Sequence, residues 1–144
     1  MDYSQFCSDN FSWESTFVPG AKGVELFEIH FKPPKRSPYP PVIFFAGWGS
    51  LIYSWEIVLK EMTIDFEVYY VETREKWSAI HHGKQELSIG SLGSDLDPIV
   101  AHHNLLGKPY IMFGSSLGAT VILDAMSRNK IDPSYSILIG PNAE

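Results

Sequence analysis

The chain has 144 residues, of which 44% are apolar and 19% charged, the content of one globular domain and not of a disordered segment. Its formal charge of −6 and the lack of a Lys/Arg cluster exclude the usual nucleic-acid binders, since the one short basic run, at 32–36, is broken by Pro33 and Pro34 and reads as a solvated turn. Cys7 is the single cysteine, which rules out an internal disulfide and a cysteine-based zinc site, and no apolar run approaches the roughly 18 residues of a membrane span.

Residues 1–22 are mixed, with turn signals at Asp9-Asn10 and Pro19-Gly20. They read as an N-terminal extension, lying across the domain or partly disordered, with Phe6, Phe11, Trp13 and Phe17 available for packing. The domain proper is expected over 23–144. Alternation of Val24, Leu26, Phe27, Ile29 and Phe31 predicts a strand over 24–31, followed by a proline-rich loop to Pro41. Val42-Ile43-Phe44-Phe45 is continuously apolar, as a strand buried on both faces would be. A helix is predicted over 51–62 from Ile52, Trp55, Val58, Leu59 and Met62, with Ser50 as its N-cap.

The next strand is predicted over 66–71 and a polar loop over 72–84. One helix is expected from Glu86 to Asn104 through Leu92, Leu96, Ile99 and Val100, with Asp95 and Asp97 on its solvated face and Gly107 as the stop. A strand over 109–113, a helix to about Arg128 and a last strand over 134–139 complete the chain. Alternating β and α elements with continuous apolar strands imply an α/β fold. A mostly parallel sheet would be flanked by helices, with functional loops at the strand C-termini.

The most informative feature is Gly114-Ser115-Ser116-Leu117-Gly118, a G-x-S-x-G motif between a predicted strand and a predicted helix. A sharp strand-to-helix turn exposes the serine oxygen and crowds the backbone two residues to either side, where glycine fits. This context marks Ser116 as the candidate nucleophile. No phosphate-binding G-x-x-x-x-G-K-[ST] or G-x-G-x-x-G pattern accompanies it.

With these residues in place, the chain resembles the α/β-hydrolase family of serine hydrolases and esterases. Phe45-Ala46-Gly47-Trp48-Gly49 resembles the family's His-Gly-x-Gly turn, with Ala46 where the histidine stands. Glu72 to Ser78 is a loose match to the D-x-R-G-x-G-x-S loop, without its glycines, and Phe113 to Ala119 matches the nucleophile elbow. The resemblance covers about 24–141. It implies backbone N–H donors from Trp48 and Leu117 as the oxyanion hole, Gly114 and Gly118 as the elbow glycines, and neither metal nor cofactor.

It further implies that the acid and the histidine base follow strands beyond the elbow helix. These residues would then be the N-terminal part of the fold, truncated after about the sixth strand and inactive alone. Within the chain, His81 and His82 lie in the loop at the catalytic edge and read as solvated. His102 and His103 lie near the opposite edge, His30 reads as structural, and Glu72 and Glu144 could act as acids by position.

The expected activity is hydrolysis of a carboxylic ester or related small acyl substrate through a Ser116 acyl-enzyme. Two alternatives remain: a non-catalytic binding or dimerisation protein that self-associates through an exposed sheet edge, and an acyltransferase. Residues 1–4 carry no signal-like n-region, so the expected location is cytoplasmic.

Overall fold

A computed structural model describes residues 1–142. Ser12–Pro19 (β1) and Val24–Lys32 (β2) form a long antiparallel hairpin, in register from Ser12 opposite Lys32 to Pro19 opposite Glu25. Residues 1–22, expected to lie across the domain or to be partly disordered, thus contribute an edge strand. Val18 is buried from β1, and a 3-10 turn at Ser4–Phe6 buries Phe6 completely. Tyr3 meets Trp13 edge to face at 5.2 Å. Aromatic residues that looked uncommitted in sequence are what fasten this segment to the sheet.

The remaining strands are Val42–Phe45 (β3), Val68–Val71 (β4), Ile80–His81 (β5), Ile111–Ser115 (β6) and Tyr135–Ile139 (β7). The sheet runs β1-β2-β4-β3-β6-β7, with β5 paired to the start of β2. Pairing is parallel across β4, β3, β6 and β7, and antiparallel among β1, β2, β4 and β5, so the sheet is mixed. Every residue of β3 and β4 is buried, as strands covered on both faces require. The two-residue β5 lies inside the stretch expected to be loop. The strand before the elbow starts two residues later than expected and includes Gly114 and Ser115.

Helices cover both faces. Glu56–Met62 (α1) lies on one, over a layer that includes Ile29, Phe44, Tyr70 and Phe113. Ile89–Gly93 (α2), Leu96–His102 (α3) and Leu117–Ser127 (α4) lie on the other, over Leu26, Ile43, Phe45 and Met112. The first helix differs at its start from the sequence reading. Its opening turn, Ile52–Trp55, is 3-10, and Ser50 does not cap it; the Ser50 hydroxyl accepts the Trp55 indole N–H at 2.6 Å.

The single helix expected over 86–104 is two helices, and the break between them corrects a second expectation. Asp95 is fully buried, while Asp97 is exposed. The Asp95 carboxylate takes a two-pronged contact from the buried Arg74 guanidinium, with Nε to Oδ2 at 2.7 Å, and also accepts the Ala21 N–H at 2.7 Å. Arg74 donates further to the carbonyls of Ala21 and Glu86, both at 3.3 Å. One ion pair therefore ties the loop after β4 to the β1–β2 turn and the α2–α3 junction. Helical periodicity cannot distinguish a carboxylate on a solvated face from one turned inward at a helix break.

Removing one partner of a buried pair leaves the other charge uncompensated. Asp95→Ala is expected to lose about 3–5 kcal/mol in urea unfolding, and Asp97→Ala to stay within about 0.5 kcal/mol.

Candidate functional site

β6 ends at Ser115 and α4 begins at Leu117, so Ser116 alone makes the turn. Its φ of 51° and ψ of −118° lie in a region that side-chain-bearing residues rarely occupy, at a cost of order 1–3 kcal/mol. Its backbone is held at both ends. The N–H donates to the Ile139 carbonyl of β7 at 2.8 Å, and the carbonyl accepts the Thr120 N–H at 3.1 Å.

The motif glycines are explained by close approach. A Cβ on Gly118 would collide with the Phe45 carbonyl oxygen at the end of β3. One on Gly114 would lie 2.5 Å from Ile122 Cδ1 and 2.8 Å from the Ala119 nitrogen. Gly47 is equally confined, with the Ser115 carbonyl oxygen 2.5 Å from where its Cβ would stand.

Since β3 and β6 are parallel neighbours, with Phe45 opposite Gly114, the turn after β3 lies against the elbow. Trp48 sits in this turn with its ring 74% exposed, so its side chain is not core. The N–H groups of Trp48 and Leu117 have no acceptor among the described residues, as expected for Leu117 at the first position of a helix. Gly114, Ser116, Leu117, Gly118 and Trp48 are thus brought together at the C-terminal edge of β3 and β6.

The structure adds Lys76. Its ammonium donates to the Ser50 carbonyl at 2.7 Å, tying the loop after β4 to the turn after β3. Burial pulls its pKa below the ordinary lysine value, while Glu72 and Glu75 oppose that shift. Nothing in the spacing of a polar loop could have marked it.

The histidines do not join this group. His81 Nε2 lies 3.0 Å from the Arg74 carbonyl oxygen, and His82 pairs with Glu25 at 2.5 Å. His103 Nε2 pairs with the buried Glu28 at 2.6 Å, and His30 Nε2 with Glu67 at 2.6 Å. Tyr69 is stacked between the last two rings, at 3.7 Å from His103 and 4.3 Å from His30. The Glu72 carboxylate accepts the Ser78 hydroxyl. Glu144 lies outside the described residues. Among the described residues none is hydrogen-bonded to the Ser116 hydroxyl, and no group of His, Cys, Asp and Glu is arranged to hold a metal.

Two outcomes follow from this geometry. Gly118→Ala is expected to destabilise the fold by more than about 2 kcal/mol in thermal unfolding, because its Cβ meets fixed backbone. The hydrogen bond from His30 holds the Glu67 carboxyl below its ordinary value, with burial opposing. A depressed carboxylate stabilises the fold above the unfolded-state pKa and loses that contribution as pH falls through the folded-state value. Between about pH 5 and pH 3, Glu67→Gln should therefore lose less stability than the wild-type chain in denaturant titrations.

No family model matches this sequence, and no curated protein does. Solved structures do. An α/β-hydrolase from Novosphingobium aromaticivorans superposes with a TM-score of 0.71 at 17% identity, over 88% of this chain and 43% of that one. A thermophilic esterase from Thermogutta terrifontis gives 0.71 at 16% identity, over 90% and 46%. The haloalkane dehalogenase DatA from Agrobacterium tumefaciens gives 0.75 at 16% identity, over 97% and 44%. This chain spans less than half the length of each. Among the described residues no helix is long and apolar enough to cross a membrane. The fold is that of the α/β-hydrolases, of whose three solved members above this chain matches less than half the length.

Proposed function

We propose that the protein is a serine hydrolase that cleaves a carboxylic ester or related acyl substrate through an acyl-enzyme on Ser116. The observation that carries this reading is the backbone of Ser116, at φ 51° between β6 and α4 and flanked by glycines that admit no Cβ. Strain of this kind concentrates where a side chain must be presented in one direction. Serine at this position, rather than aspartate, favours acyl chemistry over the dehalogenase variant of the fold.

In the proposed reaction the Ser116 oxygen attacks the acyl carbon and gives up its proton to a general base. The carbonyl oxygen becomes an oxyanion, for which the N–H groups of Leu117 and Trp48 are the donors, each worth about 3–4 kcal/mol in comparable sites. Collapse expels the alcohol, which takes up the proton, and water then releases the acid from Ser116 by the same route. The α4 N-terminus adds a favourable dipole for the developing charge.

The described residues place no base against Ser116, so the reading assigns acid and base to sequence outside these residues. The single, buried Cys7 suits a reducing, cytoplasmic setting. An acyltransferase would share every one of these steps except the final acceptor.

A second reading has its own observation. β7 is an edge strand whose Tyr135, Ile137 and Ile139 are all exposed, which suits pairing with a partner strand in a non-catalytic or dimeric protein.

A fluorophosphonate probe separates the two. Covalent labelling that disappears in Ser116→Ala supports the nucleophile; a well-folded chain of native length that takes up no label would sink it. On the second reading, Ile137→Lys should shift the sedimentation of a dimer to that of a monomer.

A further inference from the structure

The turn after β3 is fixed at its two ends and open between them. The Ser50 N–H donates to the Gly47 carbonyl at 3.2 Å, which closes a β-turn with Trp48 and Gly49 at its centre. Gly49 has a φ of 69°, the left-handed value that the third place of a type II turn requires. The entry, Gly47, is packed against the Ser115 carbonyl. The middle has no such support. The Trp48 ring is exposed, a Cβ on Gly49 would meet nothing within 4 Å, and a hollow of about 260 Å³ lies alongside. The position of the Trp48 N–H therefore depends on how the exit of the turn is held.

Two side chains hold that exit, both at Ser50. The Trp55 indole N–H donates to the Ser50 hydroxyl at 2.6 Å, and the Lys76 ammonium donates to the Ser50 carbonyl at 2.7 Å. Trp55 is neutral and set edge to face against Phe44 and Phe113. Lys76 comes from the loop after β4, and its bond is charge-assisted, roughly twice as strong as a neutral one. That charge can be withdrawn. Burial pulls Lys76 below the ordinary lysine value, and Glu72 and Glu75 oppose the shift. Both carboxylates belong to its own loop. Glu72 accepts the Ser78 hydroxyl, and Glu75 accepts the Thr73 hydroxyl at 2.5 Å while its other oxygen is buried and unpaired. Residues 46–51 carry no titratable side chain, and Tyr53 just beyond them is turned to Phe6 and Met1. Among the described residues Lys76 is thus the one titratable group bonded to this turn.

We infer that Lys76 is a positioning residue for the oxyanion donor Trp48, and that its ammonium switches the turn at 47–50 between a held and a released state. The consequence for catalysis rests on the proposed hydrolase reading; the hold itself needs no chemistry at Ser116. With the ammonium in place the Ser50 carbonyl is fixed, and the Trp48 N–H keeps its place at the elbow. Loss of the proton leaves a neutral amine, a weaker donor, and the turn is free to move into the open space beside it. The alkaline limit this sets is local. Just below the ordinary lysine value the unfolded chain binds more protons at this group than the folded chain does, so the group adds stability as pH rises there. Release of the turn is therefore separable from unfolding.

The test is carbon-detected carbon–nitrogen NMR, which needs no amide proton at alkaline pH, on the chain at its native length. The Lys76 Cε signal gives the titration midpoint, expected below that of an ordinary lysine. The Trp48 nitrogen and the Ser50 carbonyl carbon should move with the same midpoint, while the signals of β3 and β6 stay in place. In Lys76→Met both should stand near their alkaline positions throughout and lose this titration. Should that variant not fold, the wild-type midpoints decide alone. Turn signals that do not move with Lys76, or that titrate unchanged in Lys76→Met, would overturn the inference.

Fluorophosphonate labelling reads the catalytic consequence. Its rate should fall at least about tenfold above the Lys76 midpoint in the wild type and stay level in Lys76→Arg, which keeps its charge. An equal fall in both would overturn the positioning role. A chain that takes up no label at any pH refutes the nucleophile reading instead, and the NMR titration still decides on Lys76.

Discussion

The site depends on one steric constraint, the approach of the start of α4 to the end of β3. Gly118 packs its backbone onto the Phe45 carbonyl, Gly47 packs onto the Ser115 carbonyl, and Gly114 lies under Ala119. These contacts leave no space for a residue larger than glycine, and the turn between β6 and α4 is the single residue Ser116. Ser116 sits there at a positive φ of 51°. The strain is of order 1–3 kcal/mol, and the fully buried β3 beside the elbow is the rigid element against which that conformation is held.

A second set of contacts organises the polar loops around that rigid edge. The Arg74–Asp95 pair joins the loop after β4 to the β1–β2 turn and to the α2–α3 junction. Two residues further on, Lys76 reaches the Ser50 carbonyl and so braces the turn that carries Trp48. A buried ion pair contributes little net stability once desolvation is counted, but it disfavours every arrangement that would leave either charge alone. Its place here is consistent with fixing loop geometry beside the elbow. Lys76, half-buried and pulled down by desolvation, does the same with a single hydrogen bond.

The histidines and their carboxylate partners are engaged away from the elbow. His103 and His30, with Glu28, Glu67 and Tyr69, form a packed network across β2, β4 and the end of α3. His81 and His82 fasten β5 and its flank to the Arg74 carbonyl and to Glu25. Among the described residues β7 is an edge strand, with Tyr135, Ile137 and Ile139 exposed.

Much of this was legible in the chain. The continuous apolar runs of β3 and β4, the strand-elbow-helix around Ser116 and the order of elements determined the fold class, because burial on both faces and glycine at crowded turns leave local signatures. The strand at 12–19 was not legible. Its exposed, mixed residues become a strand only through backbone pairing with β2. Nor was the break at Asp95, where a guanidinium 21 residues away in sequence turns a surface-like carboxylate inward. The same reason separates the two kinds of site residue. Gly114, Ser116 and Gly118 are set by local backbone geometry, which a motif records. Lys76 against Ser50 and the fate of each histidine depend on contacts between distant segments, and only the tertiary structure decided them.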